Sequence, residues 1–150
     1  MSMIDISDKS VTKRRAVACA TIRMNKKTFQ ILMTKGSPKG NVLESAKIAG
    51  IMSAKITPSI IPLCHPLTLD KVKVDFEVIK SKNSIRAVCE VVCCGKTGVE
   101  MEALTAASAA CLTIYDMMKW AQKDMTITDV KLLHKSGGKS GTFQRKDILD

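Results

Sequence analysis

Residues 71–80 alternate between apolar and charged side chains, a pattern that limits the folds open to the chain. Neighbouring side chains of a strand point to opposite faces, so one face here is apolar and the other is charged. The apolar face consists of four side chains: Val72, Val74, Phe76 and Val78. Residues 85–93 repeat this period after a short turn at 81–84. Two such strands in succession predict an antiparallel hairpin.

Three other segments predict strands. Residues 15–24 alternate loosely and form the expected first strand. Residues 28–33 (TFQILM) form an expected second strand after a turn, and residues 129–135 (DVKLLHK) form the expected last strand. The predicted hairpin is therefore flanked by strands from both ends of the chain.

Two segments predict helices. Asn41 is a suitable N-cap for a helix over residues 42–55, because its side chain can accept a hydrogen bond from the first turn. The apolar side of this helix is expected to contain Leu43, Ala46, Ile48, Ala49 and Met52. Residues 98–123 are rich in Ala and Leu and lack Gly or Pro beyond their start. They predict a helix of about 20 residues, roughly 30 Å long.

The order strand, strand, helix, hairpin, helix, strand indicates an α+β fold, with an antiparallel sheet and helices packed on one face. A ferredoxin-like arrangement fits this order best. The 150 residues contain no Pro/Gly/Ser-rich linker and no repeat. A single domain over residues 1–150, with short flexible tails, is therefore expected.

The chain is strongly basic, with 24 Lys and Arg against 14 Asp and Glu and a net charge of +10. This charge predicts an anionic partner, either nucleic acid, a membrane surface or a phosphorylated small molecule. Aromatic residues make up only 3% of the chain, so few side chains could stack on bases, and the small molecule is favoured. Neither a membrane span nor an export signal is apparent, and a cytoplasmic location is expected.

The six cysteines include no C-x-x-C pair. Cysteines without that spacing in a cytosolic protein are expected to be reduced and mostly buried thiols. No set of residues with metal-ligand spacing is evident either, so neither a metal site nor a cofactor is expected.

Carboxylates occur at both ends of the long predicted helix. Glu102 and Asp116 are 14 residues apart, so a regular helix turns them to within about 40° of the same side. Lys119 follows Asp116 by one helical turn, and Glu100, two residues before Glu102, precedes a helix that is regular from Glu102 onward. These residues form either part of a site or a solvated face with an ordinary ion pair.

One of the two histidines lies in the loop Leu63-Cys64-His65, which is flanked by Pro62 and Pro66. The prolines restrict the backbone and could hold the imidazole in a fixed direction for hydrogen bonding or proton transfer. A structural role for His65 is an equal alternative.

Two basic, glycine-containing segments could bind phosphate. Residues 135–141 (KSGGKSG) lack the first glycine of a Walker A motif, because Leu133 stands at that position. The segment could still bind phosphate through backbone N–H groups, or it could be a flexible basic tail. Lys39 lies in residues 35–40, at the start of a predicted helix whose dipole favours an anion.

The chain resembles the MoaC family, the cyclic pyranopterin monophosphate synthases of molybdenum cofactor biosynthesis, over about residues 7–143. Four segments carry the resemblance: PKGNVLESAKIAGIMSAK, IIPLCHPL, GKTGVEMEALTAASAACLTIYDMMK and KSGGKSG. Thr12, Arg14 and Ala16 also fit a T-x-R-x-A pattern of the family. The resemblance implies a ferredoxin-like subunit, a homohexamer built as a trimer of dimers, and an active site shared between subunits.

The resemblance also implies a lyase reaction. The family converts (8S)-3′,8-cyclo-7,8-dihydroguanosine 5′-triphosphate into cyclic pyranopterin monophosphate and pyrophosphate. The implied substrate-binding residues are Leu63, Cys64, His65, Met101 and Glu102. The implied catalytic aspartate is Asp116, and other implied active-site residues are Lys39, Glu100, Lys119 and Lys135.

These residues suggest a division of labour. We expect Lys39 and Lys119 to share the acid and base roles with Asp116 tuning Lys119, because closing a cyclic phosphate needs both proton transfer and charge stabilisation. The side chains expected to hold the ring and sugar are His65, Glu100 and Glu102. Lys135 is expected to line the phosphate path, and a divalent ion could accompany the triphosphate.

Two alternative functions remain open at this level. The first is a nucleic-acid-binding ferredoxin-like module, although residues 71–80 offer no aromatic pair for stacking. The second is a structural subunit that binds anions without catalysis.

Overall fold

The computed structural model describes residues 1–146. Residues 147–150, part of the predicted flexible C-terminal tail, lie outside the described residues. The strands of the described chain are β1 (Thr12–Arg23), β2 (Lys71–Ile79), β3 (Ser84–Gly95), β4 (Thr126–Ser136) and β5 (Phe143–Gln144). Its α-helices are α1 (Lys26–Thr34), α2 (Val42–Lys55), α3 (Thr57–Ile60) and α4 (Glu100–Met118).

The strands form one sheet in the order β2-β3-β1-β4-β5, and all neighbouring pairs are antiparallel. The predicted hairpin is present as β2 and β3, with Lys71 opposite Val92 and Ile79 opposite Ser84. Its turn ends at Asn83, which has a positive φ of 46°, a conformation that Asn tolerates better than most residues. The predicted α+β class, an antiparallel sheet with helices packed against it, is confirmed.

The strand predicted at residues 28–33 is wrong, because this segment lies in helix α1. The side chain of Asn25 accepts a hydrogen bond from the backbone N–H of Thr28 at 2.8 Å, which caps the helix. Thr28, Phe29 and Leu32 are buried, a spacing that matches one side of a helix and not alternate residues of a strand. An N-cap signal and a helical burial period therefore outweigh the strand propensity of the segment.

Helix α2 has the predicted bounds and cap, with the Asn41 side chain accepting from the N–H of Glu44 at 3.1 Å. The predicted apolar side is wrong in part, because Ile48 and Met52 are 58% and 60% exposed. The buried positions instead follow an i, i+4 line of small residues: Val42, Ala46, Gly50 and Ala54.

Small residues on α2 let this helix approach α4 closely. A Cβ added at Gly50 would lie 3.0 Å from the carbonyl oxygen of Ala106 and 3.1 Å from Cγ2 of Val74. Glycine is favoured where a backbone must come this near to its neighbour. The close contact fixes α2 against α4 and leaves the larger side chains of α2 on the outside.

Helix α4 lies across the sheet and supplies much of the core. Its fully buried small side chains are Ala103, Ala106, Ala107, Ala110 and Cys111. They pack with the inward-facing residues of β1 and β3, such as Ala18, Ala20 and Ala87. The 19 residues of α4 extend about 28 Å at 1.5 Å per residue. Side chains at its two ends therefore lie on opposite sides of the molecule.

Candidate functional site

The sequence-predicted site residues fall into two groups, one at each end of α4. Glu100 and Glu102 lie in its first turn, whereas Asp116 lies in its last turn. Because Glu102 and Asp116 are 14 residues apart, they are separated by about 21 Å along the helix axis. Glu102 is buried and Asp116 is exposed. A single chain therefore does not bring these two carboxylates into one pocket.

At the C-terminal end, Asp116 is held between two lysines. Its carboxylate accepts from Nζ of Lys39 at 2.6 Å and is 2.7 Å from Nζ of Lys119. We call Lys39, Asp116 and Lys119 the Asp116 cluster. All three side chains are about half exposed.

The charges of the Asp116 cluster determine its protonation. Hydrogen bonds from Lys119 and then Lys39 lower the pKa of Asp116 to about 2. The same carboxylate raises the pKa of Lys119. Asp116 is therefore ionised and Lys119 protonated at neutral pH, and because a raised pKa makes Lys119 a weaker acid, this state suits it as a charge clamp.

The loop between α1 and α2 places Lys39 beside Asp116. Oγ of Ser37 donates to the carbonyl oxygen of Met117, in the last turn of α4, at 2.7 Å. The backbone N–H of Lys39 donates to the same Oγ at 3.2 Å. The Ser37 hydroxyl thus ties the loop to the end of α4, a role that no local sequence pattern indicates.

At the N-terminal end, a cavity of about 640 Å³ lies between the β3–α4 loop and the KSGGKSG segment. We call it the basic cavity. Six basic side chains line it: Lys9, Arg14, Arg15, Lys96, Lys135 and Lys139. Glu100 is the acidic residue among the lining residues. Sequence reasoning predicted Lys135, Lys139 and Glu100 for a site but gave no role to Lys9, Arg15 or Lys96, although Lys96 lies in the segment GKTGVEMEALTAASAACLTIYDMMK that carries the resemblance.

Lys135 connects the acidic and glycine-rich parts of this cavity. Its Nζ lies 3.8 Å from Oε1 of Glu100 and also donates to Oγ of Ser140. The Glu100 carboxylate folds back over Gly98, where an added Cβ would overlap it. The KSGGKSG segment therefore forms a wall of the cavity, as its phosphate-binding interpretation requires.

A second cavity of about 390 Å³ adjoins the first. We call it the histidine cavity. Its lining includes all five residues implied for substrate binding: Leu63, Cys64, His65, Met101 and Glu102. Lys9, Thr97, Gly98 and Glu100 line both cavities, so the two share a boundary.

Two groups in the histidine cavity are suited to hydrogen bonding. Nε2 of His65 lies 2.9 Å from the carbonyl oxygen of Ile4, to which a protonated Nε2 donates. Glu102 is 3% exposed, and burial, followed by the charge of Glu100, raises its pKa. Burial also raises the pKa of the Cys64 thiol. A buried carboxyl with a raised pKa binds a proton more readily than an exposed one and can donate a hydrogen bond.

Among residues 1–146, no three His, Cys, Asp or Glu side chains come together as a metal site. Within the same residues, none of the helices is long and apolar enough to cross a membrane.

A comparison with protein families identifies the family of the chain. The model of the MoaC family matches residues 3–138, which include the Asp116 cluster, the lining of the histidine cavity and all lining residues of the basic cavity except Lys139 and Ser140. The match covers well over half of the chain. The chain therefore belongs to the MoaC family, an enzyme family of molybdenum cofactor biosynthesis.

Proposed function

We propose that the protein is a cyclic pyranopterin monophosphate synthase that acts on (8S)-3′,8-cyclo-7,8-dihydroguanosine 5′-triphosphate. The observation that carries this proposal is the pair of adjoining cavities, one basic and one lined by His65 and a buried carboxyl. A nucleotide triphosphate has the same two parts, an anionic tail and a ring with hydrogen-bonding groups.

The basic cavity is the proposed site of the triphosphate. A triphosphate carries about four negative charges near neutral pH, and a transferring phosphoryl group needs cations that offset its charge. The cavity is lined by six cationic side chains and one carboxylate. Lysines act here as point charges, while arginine can also donate two parallel hydrogen bonds.

The histidine cavity is the proposed site of the purine-derived ring and the sugar. His65 can donate or accept a hydrogen bond according to its tautomer. Glu102 can donate one when it is protonated, and Glu100 lies where the two cavities meet. These three groups would orient the ring so that the inner phosphate approaches a substrate hydroxyl.

In the proposed step, a substrate hydroxyl oxygen forms a bond to the α-phosphorus while the bond from that phosphorus to the departing pyrophosphate breaks. The hydroxyl proton passes to a base, and the leaving pyrophosphate is neutralised by lysines. The raised pKa of Lys119 keeps this side chain charged and makes it a weaker acid, which favours it as the clamp. Transfer of the hydroxyl proton is then assigned to Lys39. The chain needs no cofactor in this step, although a divalent ion can accompany the triphosphate as part of the substrate.

We further propose that the site is completed by a second copy of the chain within a homohexamer. The Asp116 cluster lines neither cavity within one chain, yet the reaction needs proton transfer close to the phosphate. An interface that places the Asp116 cluster of one copy against the cavities of another would meet this need. We also propose that the protein is located in the cytoplasm.

The activity is tested by incubating the purified protein with the cyclic nucleotide and following pyrophosphate and the pterin product together. We expect both to form in equal amounts. Binding of generic RNA without release of pyrophosphate would favour the nucleic-acid alternative, and absence of both products under reducing conditions would overturn the proposal.

The shared site is tested by mixing two inactive variants after reversible dissociation. Asp116→Asn removes one part, and the double variant Glu100→Gln/Lys135→Ala removes the other. In a mixed dimer one site carries all the changes and the other carries none. Random mixing makes about half of the dimers mixed, so about a quarter of all sites are intact and about a quarter of the wild-type activity should return. No recovery in oligomers shown to be mixed would place the whole site within one copy.

A further inference from the structure

Arg14 lines the basic cavity between the β3–α4 loop and the KSGGKSG segment, and it contacts both. It lies in β1, and its guanidinium is partly buried. Nε donates to the carbonyl oxygen of Gly95 and Nη2 to that of Lys96, each at 3.3 Å. Both acceptors lie where β3 ends and the loop toward α4 begins. One edge of the guanidinium therefore holds the wall that leads to Glu100.

The opposite side of the same guanidinium lies against the glycine-rich wall. A Cβ added at Gly138 would overlap Nη1 and Cζ of Arg14. One added at Gly137 would overlap the carbonyl oxygen of Lys13 and lie 3.2 Å from Cδ of Arg14. The two glycines thus allow the backbone of the KSGGKSG segment to pack directly on the planar group.

We propose that Arg14 is a positioning residue that sets the distance between Glu100 and Lys135 across the basic cavity. The inference rests on the proposed function, because it concerns the site of the triphosphate. Lys135 directly precedes the Ser136-Gly137-Gly138 segment, and Glu100 follows the Gly95–Lys96 segment. The planar guanidinium of Arg14 lies between these two backbone segments and thereby holds the side chains of Glu100 and Lys135 at a fixed separation.

The planar shape of the guanidinium is what this role requires. Arginine presents several N–H donors in a rigid fork, so it can hold two carbonyl oxygens on one edge while a neighbour packs against the rest of the group. Lysine keeps the positive charge but has a flexible stem and a single ammonium group. If only charge matters at this position, lysine can replace arginine; if geometry matters, it cannot.

The first test compares Arg14→Lys and Arg14→Ala with wild type and with Arg23→Ala. Arg23 is a matched control, because it lies at the other end of β1 and pairs with Asp129 at 3.1 Å. Misplacement of reacting groups by about 1 Å lowers a rate by about 10²-fold. We expect both Arg14 variants to lose about 10²-fold in kcat/KM, and Arg23→Ala to stay near wild type. Wild-type-like kcat/KM in Arg14→Lys would overturn the inference.

A second test leaves Arg14 in place and changes the glycine that packs on it. Gly138 and Gly141 both have positive φ, +77° and +67°, so Ala is strained at either position. An added Cβ would overlap Arg14 at Gly138 but meets nothing within 4 Å at Gly141. We expect Gly138→Ala to lower kcat/KM at least about tenfold more than Gly141→Ala. This excess should disappear when Arg14→Ala is also present, and equal effects of the two alanines would contradict the packing.

Binding of inorganic pyrophosphate, measured by calorimetry, supplies a readout other than turnover. We expect the Arg14 variants to bind pyrophosphate about tenfold more weakly than wild type while their melting temperatures stay close to that of Arg23→Ala. Undiminished pyrophosphate affinity in both variants would overturn the inference. If the wild-type protein releases no pyrophosphate from the nucleotide, the proposed function fails instead, so the two failures are distinguishable.

Discussion

The two ends of α4 offer the same residue types in opposite surroundings. At the N-terminal end, Glu102 is buried in a cavity and Glu100 faces Lys135. At the C-terminal end, Asp116 and its two lysines are about half exposed. Exposed ion pairs contribute little in water, because solvent screens them. A buried carboxyl, by contrast, changes its protonation even without a close partner.

This difference indicates what each end still needs. The N-terminal end already has cavities and a buried carboxyl, but its described residues include no aspartate–lysine cluster. The Asp116 cluster has the charges for proton transfer, but it must be shielded from water before those charges act strongly on a substrate. The predictions below test whether the two ends divide the work of binding and catalysis in this way.

The largest effect is expected at the exposed end. Asp116→Asn should lower kcat by about 10³-fold, the scale of a lost acid–base function, while the melting temperature stays unchanged. Asp75→Asn is the matched control, because Asp75 forms an equally exposed pair with Lys73 at 2.6 Å. Steady-state kinetics and thermal melting measure both quantities. Equal activity in the two variants would remove Asp116 from the chemistry.

A smaller effect, on binding, is expected at the cavity end. Lys135→Ala should raise KM by about 10- to 100-fold with less change in kcat, because one charged hydrogen bond to phosphate is lost. Lys131→Ala, on the same strand, is the control. The dependence of KM on salt should also weaken in Lys135→Ala. A fall in kcat at constant KM would instead assign Lys135 to the chemical step.

The burial of Glu102 predicts a stability difference that depends on pH. Its raised pKa means that the folded state holds the proton more tightly, so folding is destabilised as pH rises above the ordinary carboxyl value of 4.5. Glu102→Gln cannot ionise and should therefore gain melting temperature over wild type toward pH 8, with no gain near pH 4. Glu44→Gln, at an exposed position in α2, should show no such trend. A constant difference at all pH values would argue against a desolvated carboxyl.

The smallest effect concerns the middle of α4, which joins the two ends. Burial raises the pKa of Cys111 and Cys89 to about 12, so both thiols should resist a thiol reagent at pH 8 until the protein unfolds. Cys94 is exposed and should react first. Cys94→Ser should remove this first phase. A fast reaction of Cys111 would mean that the helix opens between the two ends.

The elements that the sequence predicted best are those with a strong local period. The hairpin of β2 and β3 alternates regularly, and α4 is long and free of Gly and Pro. The α1 segment was predicted wrongly because Thr, Phe and Ile favour strands in isolation, whereas the Asn25 cap decides the outcome. Strand β5 is only two residues long, too short for a period.

The candidate site was predictable where its residues are near in sequence. The Asp116–Lys119 pair follows from helical spacing, as its 2.7 Å distance shows. Two other features depend on tertiary packing. One is the hydrogen bond of the Ser37 hydroxyl that places Lys39 beside Asp116, and the other is the position of the Lys96 side chain in the basic cavity. No local pattern encodes such contacts, because they join segments that are far apart along the chain.

The central position of β1 has a consequence for how the protein is made. This strand leaves the ribosome first among the strands, yet its partners β3 and β4 both lie in the second half of the chain. Long-range pairing of this kind slows folding, and the edges of β1 stay unpaired until β3 and β4 have been synthesised. The basic cavity lies between segments on both sides of β1 and is lined as far as Ser140, so it can form only after that residue has been synthesised.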